Sequence, residues 1–312
     1  MSLQRWIQQY LDEEAPKSKS LIITVFGDAL LPRSDRVWLG TLIELMAPFG
    51  INERLVRTSC FRLIDEGWFA ARREGRRSEY ALTGTGRRRI ELAYERVYTP
   101  PVTDWDGRWT LVIVPRASEA GVNRVELRRE LEWQGYAQLT PGVMIHPVGN
   151  AAALRALLAE RALGDRVVVL RAGELPGFEG EARDTLAQCW NLDEIIERYR
   201  RFLSRFETLR ALLERVSLAP AQAFLLQTLL IHSFRRATLH DPRLPADMLP
   251  ADWPGTAAYA LCRALYAQTV AGAQAHVAAS LAAPAAESAA APALDAGMLA
   301  ARFGGIGVSL VD

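Results

Sequence analysis

The chain has 312 residues, 50% of them hydrophobic and 23% charged, with a net charge of +1. That length exceeds what one small core needs and predicts two or three domains, while the near-neutral balance excludes a histone-like coat for nucleic acid but not a local basic patch. The three cysteines, Cys60, Cys189 and Cys262, are far apart and lack metal-ligand spacing, which predicts reduced thiols rather than a disulfide framework or a zinc site. The opening MSLQRWIQQYLDEEAP has no continuous apolar core, and no run approaches the ~20 apolar residues of a membrane span, so a cytoplasmic location is expected.

In chain order, the first 98 residues are arginine-rich and helical in pattern, with one short hairpin. Ser18 to Leu30 reads as a helix stopped by Pro32, and Val37 to Phe49 as a second closed by Gly50. Asn52 is placed to cap a third helix, with Glu53 in its first turn. On that helix Val56, Cys60, Leu63 and Ile64 share an apolar face, opposite Arg54, Thr58, Arg62 and Asp65, with Arg57 flanking. Phe61 falls within the polar face, where packing under the following hairpin fits it better than contact with a thymine methyl. After Gly67 a strand runs to Glu74, turns at Gly75-Arg76-Arg77 and returns through Ser78 to Thr83. GTG at Gly84 to Gly86 is too short for a phosphate loop and fits the turn into the next helix, which carries Arg87, Arg88 and Arg89.

The tandem prolines of TPPVTDWDG (Thr99 to Gly107) mark a boundary. Beyond it come a strand over Trp109 to Val114, a helix over Glu119 to Gln134, an extended stretch from Tyr136 to Pro147, a helix over Ala151 to Leu163 and a strand over Val167 to Arg171. That alternation predicts a ferredoxin-like α+β domain over 105–175. From Glu181 the chain is helical, giving an all-α domain over 181–312. Within it Gln222 to Arg236, apolar on almost every side, should be buried, and the alanine-rich stretch from Ala271 to Ala296 is broken by Pro284 and Pro292. The fold class expected is α+β and multidomain, with a winged helix-turn-helix over 1–98.

A short helix with a narrow apolar seam and an Arg/Thr face, followed by an arginine-tipped hairpin, suits a major groove and the adjacent backbone. The candidate DNA contacts are Lys17, Lys19, Asn52, Arg54, Arg57, Thr58 and Arg62, with Arg73, Arg76 and Arg77 in the hairpin; Arg57 and Thr58 are the expected base readers. Any one arginine alone reads as solvated. The ordered combination is what points to DNA.

Several strings also resemble a known family. RLVRTSCFRLIDEGWF (Arg54 to Phe69), GRRSEYALTGTGRR (Gly75 to Arg88), WDGRW (Trp105 to Trp109), CWNL (Cys189 to Leu192), HDPRLPADMLPADWPG (His240 to Gly255) and RFGG (Arg302 to Gly305) are similar to the PaaX-type repressors of phenylacetate catabolism. The resemblance implies a winged-helix domain, a middle domain like the small CRISPR-associated nuclease subunit and a helical C-terminal domain. It also implies a homodimer on double-stranded operator DNA, released by phenylacetyl-CoA as effector, with no other cofactor and no membrane partner.

The nuclease likeness raises an alternative, a metal-dependent nuclease or RNA-binding protein. Such chemistry needs carboxylates to hold a divalent cation. The first strand of the middle domain, Trp109 to Pro115, has none, and Asp104 and Asp106 precede it. A dimerising spacer is the preferred reading, and neither a catalytic group nor a metal site is expected. An acyl-CoA effector needs cations, a stacking surface and an apolar slot. His232, Arg235 and Arg236 at the end of the buried helix are the candidates, with Trp190 and Trp253 as stacking surfaces. An internal acid for the arginines, such as Asp241 or Asp252, is at least an equal reading, and a core role is the favoured one for both tryptophans.

Overall fold

The structure is a computed structural model and describes residues 1–101, 104–115, 123–174, 185–282 and 292–306. Its packing divides into two compact units. One comprises Met1–Pro100, Arg200–Arg236 and the chain from Ala257; the other comprises Pro101–Tyr199 and Ala237–Thr256.

In the first unit α1 (Leu3–Glu13) starts at Ser2, whose hydroxyl accepts from the Arg5 amide, and buries Leu3, Trp6 and Tyr10 at helical spacing. Next, α2 (Ser18–Thr24) widens into a π-helical turn over Val25–Leu30. The helix expected over Ser18 to Leu30 is thus present but changes pitch over the turn in which Asp28 is buried. The helix expected from Val37 instead begins as strand β1 (Arg36–Trp38), followed by α3 (Leu39–Met46) and a 3-10 turn at Ala47–Phe49. Val37 and Trp38 find partners in Tyr80 and Glu79 of a neighbouring strand, a tertiary choice that overrides helical periodicity. Then come α4 (Glu53–Asp65), the hairpin β2 (Phe69–Glu74) and β3 (Arg77–Leu82), and α5 (Gly84–Tyr98). The sheet order is β1-β3-β2, all antiparallel. Pairing of Glu74 with Arg77 leaves only Gly75 and Arg76 in the turn, one residue fewer than the expected turn, and Gly75 supplies the positive φ that a two-residue hairpin of this hand needs.

The second unit runs β4 (Arg108–Ile113), α6 (Arg124–Trp133), β5 (Ala137–Thr140), β6 (Val143–His146), α7 (Ala151–Glu160) and β7 (Val168–Gly173). Strand order β5-β6-β4-β7 with every pair antiparallel is the ferredoxin-like arrangement. The expected start of α6 at Glu119 lies outside the described residues. One face of the sheet packs Val112 and Met144 against Leu127, Leu131, Leu154 and Leu158 of the two helices. Trp109 and Ile145 pack with Leu244 and Met248 from the later segment.

Three long helices follow: α8 (Asp193–Leu213), α9 (Pro220–Thr238) and α10 (Gly255–Ala282), then the short α11 (Ala296–Ala300). As expected, α9 is buried nearly all round, from Phe224 to Phe234. The sequence reading treats 181–312 as a domain of its own, whereas the packing gathers most of these helices around the first hundred residues. Aromatic contacts give the reason: Trp6 meets Phe206 at 5.6 Å, Phe49 meets Phe224 at 5.9 Å, and Tyr98 meets Phe303 at 5.2 Å. Apolar side chains of α1, of the 3-10 turn after α3 and of α5 are thus met by residues from far along the chain.

Candidate nucleic-acid interface

Helix α4 is built to present one face. Asn52 accepts from the Leu55 amide at 3.0 Å, and Glu53 stands in the first turn as expected. Val56, Ser59, Cys60 and Leu63 are buried; Arg54, Arg57, Thr58, Phe61, Arg62 and Asp65 are exposed at successive helical turns. Ile64, assigned to the apolar face, is half-buried, and Ser59 takes a core position because its hydroxyl meets that of Ser18 at 2.6 Å, tying α2 to α4. Phe61 does not pack under the hairpin: it is 64% exposed in the middle of the arginine face.

The cations divide into two groups. Arg54, Arg62, Arg73 and Arg76 are exposed and form no ion pair among the described residues; Lys17, at the N-cap of α2, and Arg77 are exposed as well. Others are engaged within the fold. Lys19 binds Glu66 at 2.7 Å, and Arg57 binds Glu53 of its own helix at 2.7 Å. Both pairs are exposed, worth at most about 1 kcal/mol, and cheap to exchange for a phosphate or a base edge. Thr58 donates to the Arg54 carbonyl at 2.9 Å, which leaves its oxygen lone pairs as acceptors. Behind the hairpin, Arg87 holds Asp35 at 2.7 Å, while Arg89 donates to the Glu66 carbonyl at 3.0 Å and lies over the Trp68 ring. These two are struts that fix α5 rather than contacts.

Family models match three segments: PaaX-like protein over residues 17–86, the PaaX protein central Cas2-like domain over 102–185, and the PaaX-like protein C-terminal domain over 190–279. A curated relative, "Transcriptional repressor PaaX" of Escherichia coli, is 36% identical over 279 residues, covering 88% of this chain and 87% of its own. The chain belongs to the PaaX family. Among solved structures, an uncharacterized Mycobacterium tuberculosis protein shares 24% identity over 82% of this chain and 98% of its own, with a TM-score of 0.48, too loose a likeness to argue from. The Cas2-like assignment of the central segment agrees with its ferredoxin-like strand order.

The remaining candidate residues of this PaaX-family chain fall in different places. Trp190 donates to the Gly135 carbonyl at 2.8 Å and stacks on Trp109, and Trp253 packs edge-on to Tyr199 with Gly255 against its indole. Both are half-buried and engaged by neighbours within the second unit. In the first unit Arg236 is exposed and meets Glu14 at 3.3 Å, an acid that reading the sequence does not single out. Asp241, one of the acids considered, accepts from the Tyr199 hydroxyl at 2.7 Å. Arg235 donates to the Thr24 hydroxyl at 2.7 Å, and His232 meets the same hydroxyl through Nδ1 at 3.1 Å.

Burial, reinforced by the charges of Arg235 and Arg236, pulls the His232 imidazole down to about 3. Its folded pKa lies below the unfolded value near 6.5, so the stability this neutral ring supports is complete above that pH and is lost as pH falls toward 3. In a urea-denaturation series this group should tilt stability downward by up to about 1.4 kcal/mol per pH unit below about pH 6. His232→Gln should flatten that part of the curve.

One constellation is not apparent from the sequence. Arg302 is fully buried; it donates to Asp28 at 2.9 Å and to the Tyr266 hydroxyl, and lies over the Tyr98 ring at 4.4 Å. Tyr98 and Gln227 complete the shell of Asp28, donating at 2.6 and 2.8 Å. Phe303 at φ 55 and Gly304 at φ 70 turn the chain sharply enough to drive the guanidinium inward. The RFGG string is the visible signal, since tandem glycines mark a tight turn.

Proposed function

We propose that this protein is a DNA-binding transcriptional repressor and that its N-terminal unit is a winged helix-turn-helix. In this reading α4 is the recognition helix and β2–β3 the wing. The observation that carries it is the exposed stripe Arg54, Arg57, Thr58, Phe61 and Arg62, set against a buried seam and followed by a hairpin with arginines at its tip. An exposed phenylalanine amid arginines has no use in water, and it gains from burial against a thymine methyl. The guanidiniums match guanine edges, while Lys17, Lys19, Arg73, Arg76 and Arg77 hold phosphate. The name of the Escherichia coli relative supports the same role.

The finer reading, from the family resemblance, is repression of phenylacetate catabolic genes in the cytoplasm, with phenylacetyl-CoA releasing the operator. A homodimer fits an inverted-repeat operator. The edge strand β7, which leaves Val168, Val169 and Leu170 consecutively exposed, suits pairing with a second copy. We take the protein to be a non-enzyme. The nuclease alternative finds no support in β4, which carries no carboxylate, or in Asp106, which Arg171 holds at 2.8 Å. No helix among the described residues is long and apolar enough to cross a membrane.

The test is a gel-shift titration on the operator. Arg57→Ala should cost about 1–3 kcal/mol and relax preference at one base pair per half-site. Arg76→Ala should weaken specific and random DNA alike and lower the salt slope by about one. Operator binding untouched by both changes would exclude this surface.

A further inference from the structure

Between α2, α5 and α9 the first unit holds a cavity of about 30 Å³. That volume takes two waters or one ion of halide size, and no ring or larger group. Ile23, Ile90, Ala93, Val97 and Ile231 make most of its wall apolar. Water there would find few partners, whereas a charge there interacts with its neighbours at low dielectric.

The polar part of the wall carries unbalanced positive charge. Arg235 is half-buried and gives one terminal nitrogen to the Thr24 hydroxyl at 2.7 Å and, more distantly, to the Ser20 carbonyl at 3.5 Å. Its Nε and other terminal nitrogen have no acceptor among the described residues, and no carboxylate there lies within ion-pair distance of it. Arg89 borders the same cavity from a more exposed position; it binds the Glu66 carbonyl at 3.0 Å and lies over Trp68, again with no acid among the described residues. Asp28 borders it too, but Arg302 at 2.9 Å balances that charge, and Tyr98 and Gln227 occupy its oxygens. Two guanidiniums therefore share one small space without a counter-charge. A cation withdrawn from water in this way is costly to maintain, and burial accordingly pulls the Arg235 guanidinium down to about 10.

We propose that this cavity is a binding site for a single halide ion, chloride being the abundant one, which accepts from the Nε and second terminal nitrogen of Arg235 with the charge of Arg89 close by. Such an ion matches the cavity in volume. It also supplies what neither water nor an apolar group can, a negative charge with no donors of its own to satisfy. Its position gives it a structural part. Arg235 stands on α9 and Arg89 on α5, while Trp68, also on the wall, is the residue before the hairpin. An anion between these walls ties α9 to α5 and to the base of the hairpin. The site stands whether or not the hairpin touches DNA.

The test melts the full-length protein in sodium chloride and in sodium gluconate at one ionic strength, gluconate being too large for the cavity. The readout is the difference in melting temperature between the two salts, compared between wild type and Arg235→Met, because general salt effects are common to both proteins. Chloride should favour the wild type by about 2 °C more than it favours the variant, which keeps the length of the side chain but loses its charge and donors. Arg89→Met, at a more exposed position, should reduce the same difference and serves if Arg235→Met does not fold. Crystals of the wild type grown in sodium bromide locate the ion itself by anomalous scattering. A bromide peak against the Arg235 nitrogens, together with a chloride shift that the variants lose, supports the site. An equal shift in wild type and variants overturns it, since chloride is then held by arginines elsewhere. A cavity that holds only water while bromide sits at other places overturns it as well. So does a bromide peak there with no chloride-dependent melting, which is binding at crystal concentration only.

Discussion

Replacing Gly86 by alanine is expected to destabilise the first unit by about 3 kcal/mol, the opposite of what the same change does in an ordinary helix. A Cβ at this position would stand 2.2 Å from the Trp68 carbonyl oxygen and about 3 Å from the carbonyl and α carbons of the same residue. All three are backbone atoms, so no side chain can swing aside. The close approach is built by the cap of α5: Thr83 donates through its hydroxyl to the Gly67 carbonyl at 2.6 Å, accepts from the Gly86 amide at 2.9 Å, and its own amide binds the Trp68 carbonyl at 3.0 Å. Alanine at 86 must lift the first turn of α5 off the start of the hairpin and strain those bonds together. Gly84 is the internal control. Its added Cβ would meet only the far end of Arg88, at 3.7 Å, so Gly84→Ala should be neutral or stabilising by up to about 1 kcal/mol. Equilibrium urea denaturation of the two variants checks both signs.

Arg302→Met should cost about 3–5 kcal/mol, because it leaves the Asp28 carboxylate buried without its cation. The penalty comes from the orphaned charge more than from the lost bond, so a second change that removes the carboxylate should return part of the stability. Asp28→Leu combined with Arg302→Met is expected to be less destabilised than Arg302→Met alone, a sign that simple loss of packing would not produce. Denaturation midpoints of the two single variants and the double variant give the coupling directly. Limited proteolysis adds an independent readout. With Arg302 unanchored, the segment from α11 onward should be cut faster, since Arg302 also binds the Asp28 and Gly27 carbonyls.

Much of the candidate interface is legible in the sequence because its determinants are local. The Asn52 cap, the apolar seam of α4, the Gly75 turn and the arginines of the hairpin lie within thirty residues of one another, and each is specified by near neighbours. Phe61 is the instructive exception. Its position on the polar face is readable from the helical wheel, yet whether the hairpin covers it depends on the angle between β2–β3 and α4, which no wheel contains. Lys19 shows a related gap: its charge is evident, while its engagement by Glu66 becomes visible only in three dimensions, unlike the Glu53–Arg57 pair, which helical spacing alone allows.

From the order of its residues alone, the chain already determined its family, its helices and strands in outline, the ferredoxin-like alternation of its middle segment and the arginine face of α4. Those depend on caps, turns and periodicities that act over a few residues. Only the tertiary structure decided that residues 200–236 and the chain from Ala257 complete the core of the first hundred, that Val37 and Trp38 pair as a strand, that Asp28 waits in a π-turn for an arginine 274 positions away, and that Arg235 takes the Thr24 hydroxyl rather than an acid as its partner. Each is a choice among distant partners of similar chemistry. That choice is made by which pairing buries most surface and leaves fewest charges unmatched, a quantity of the whole packed chain rather than of any stretch of it.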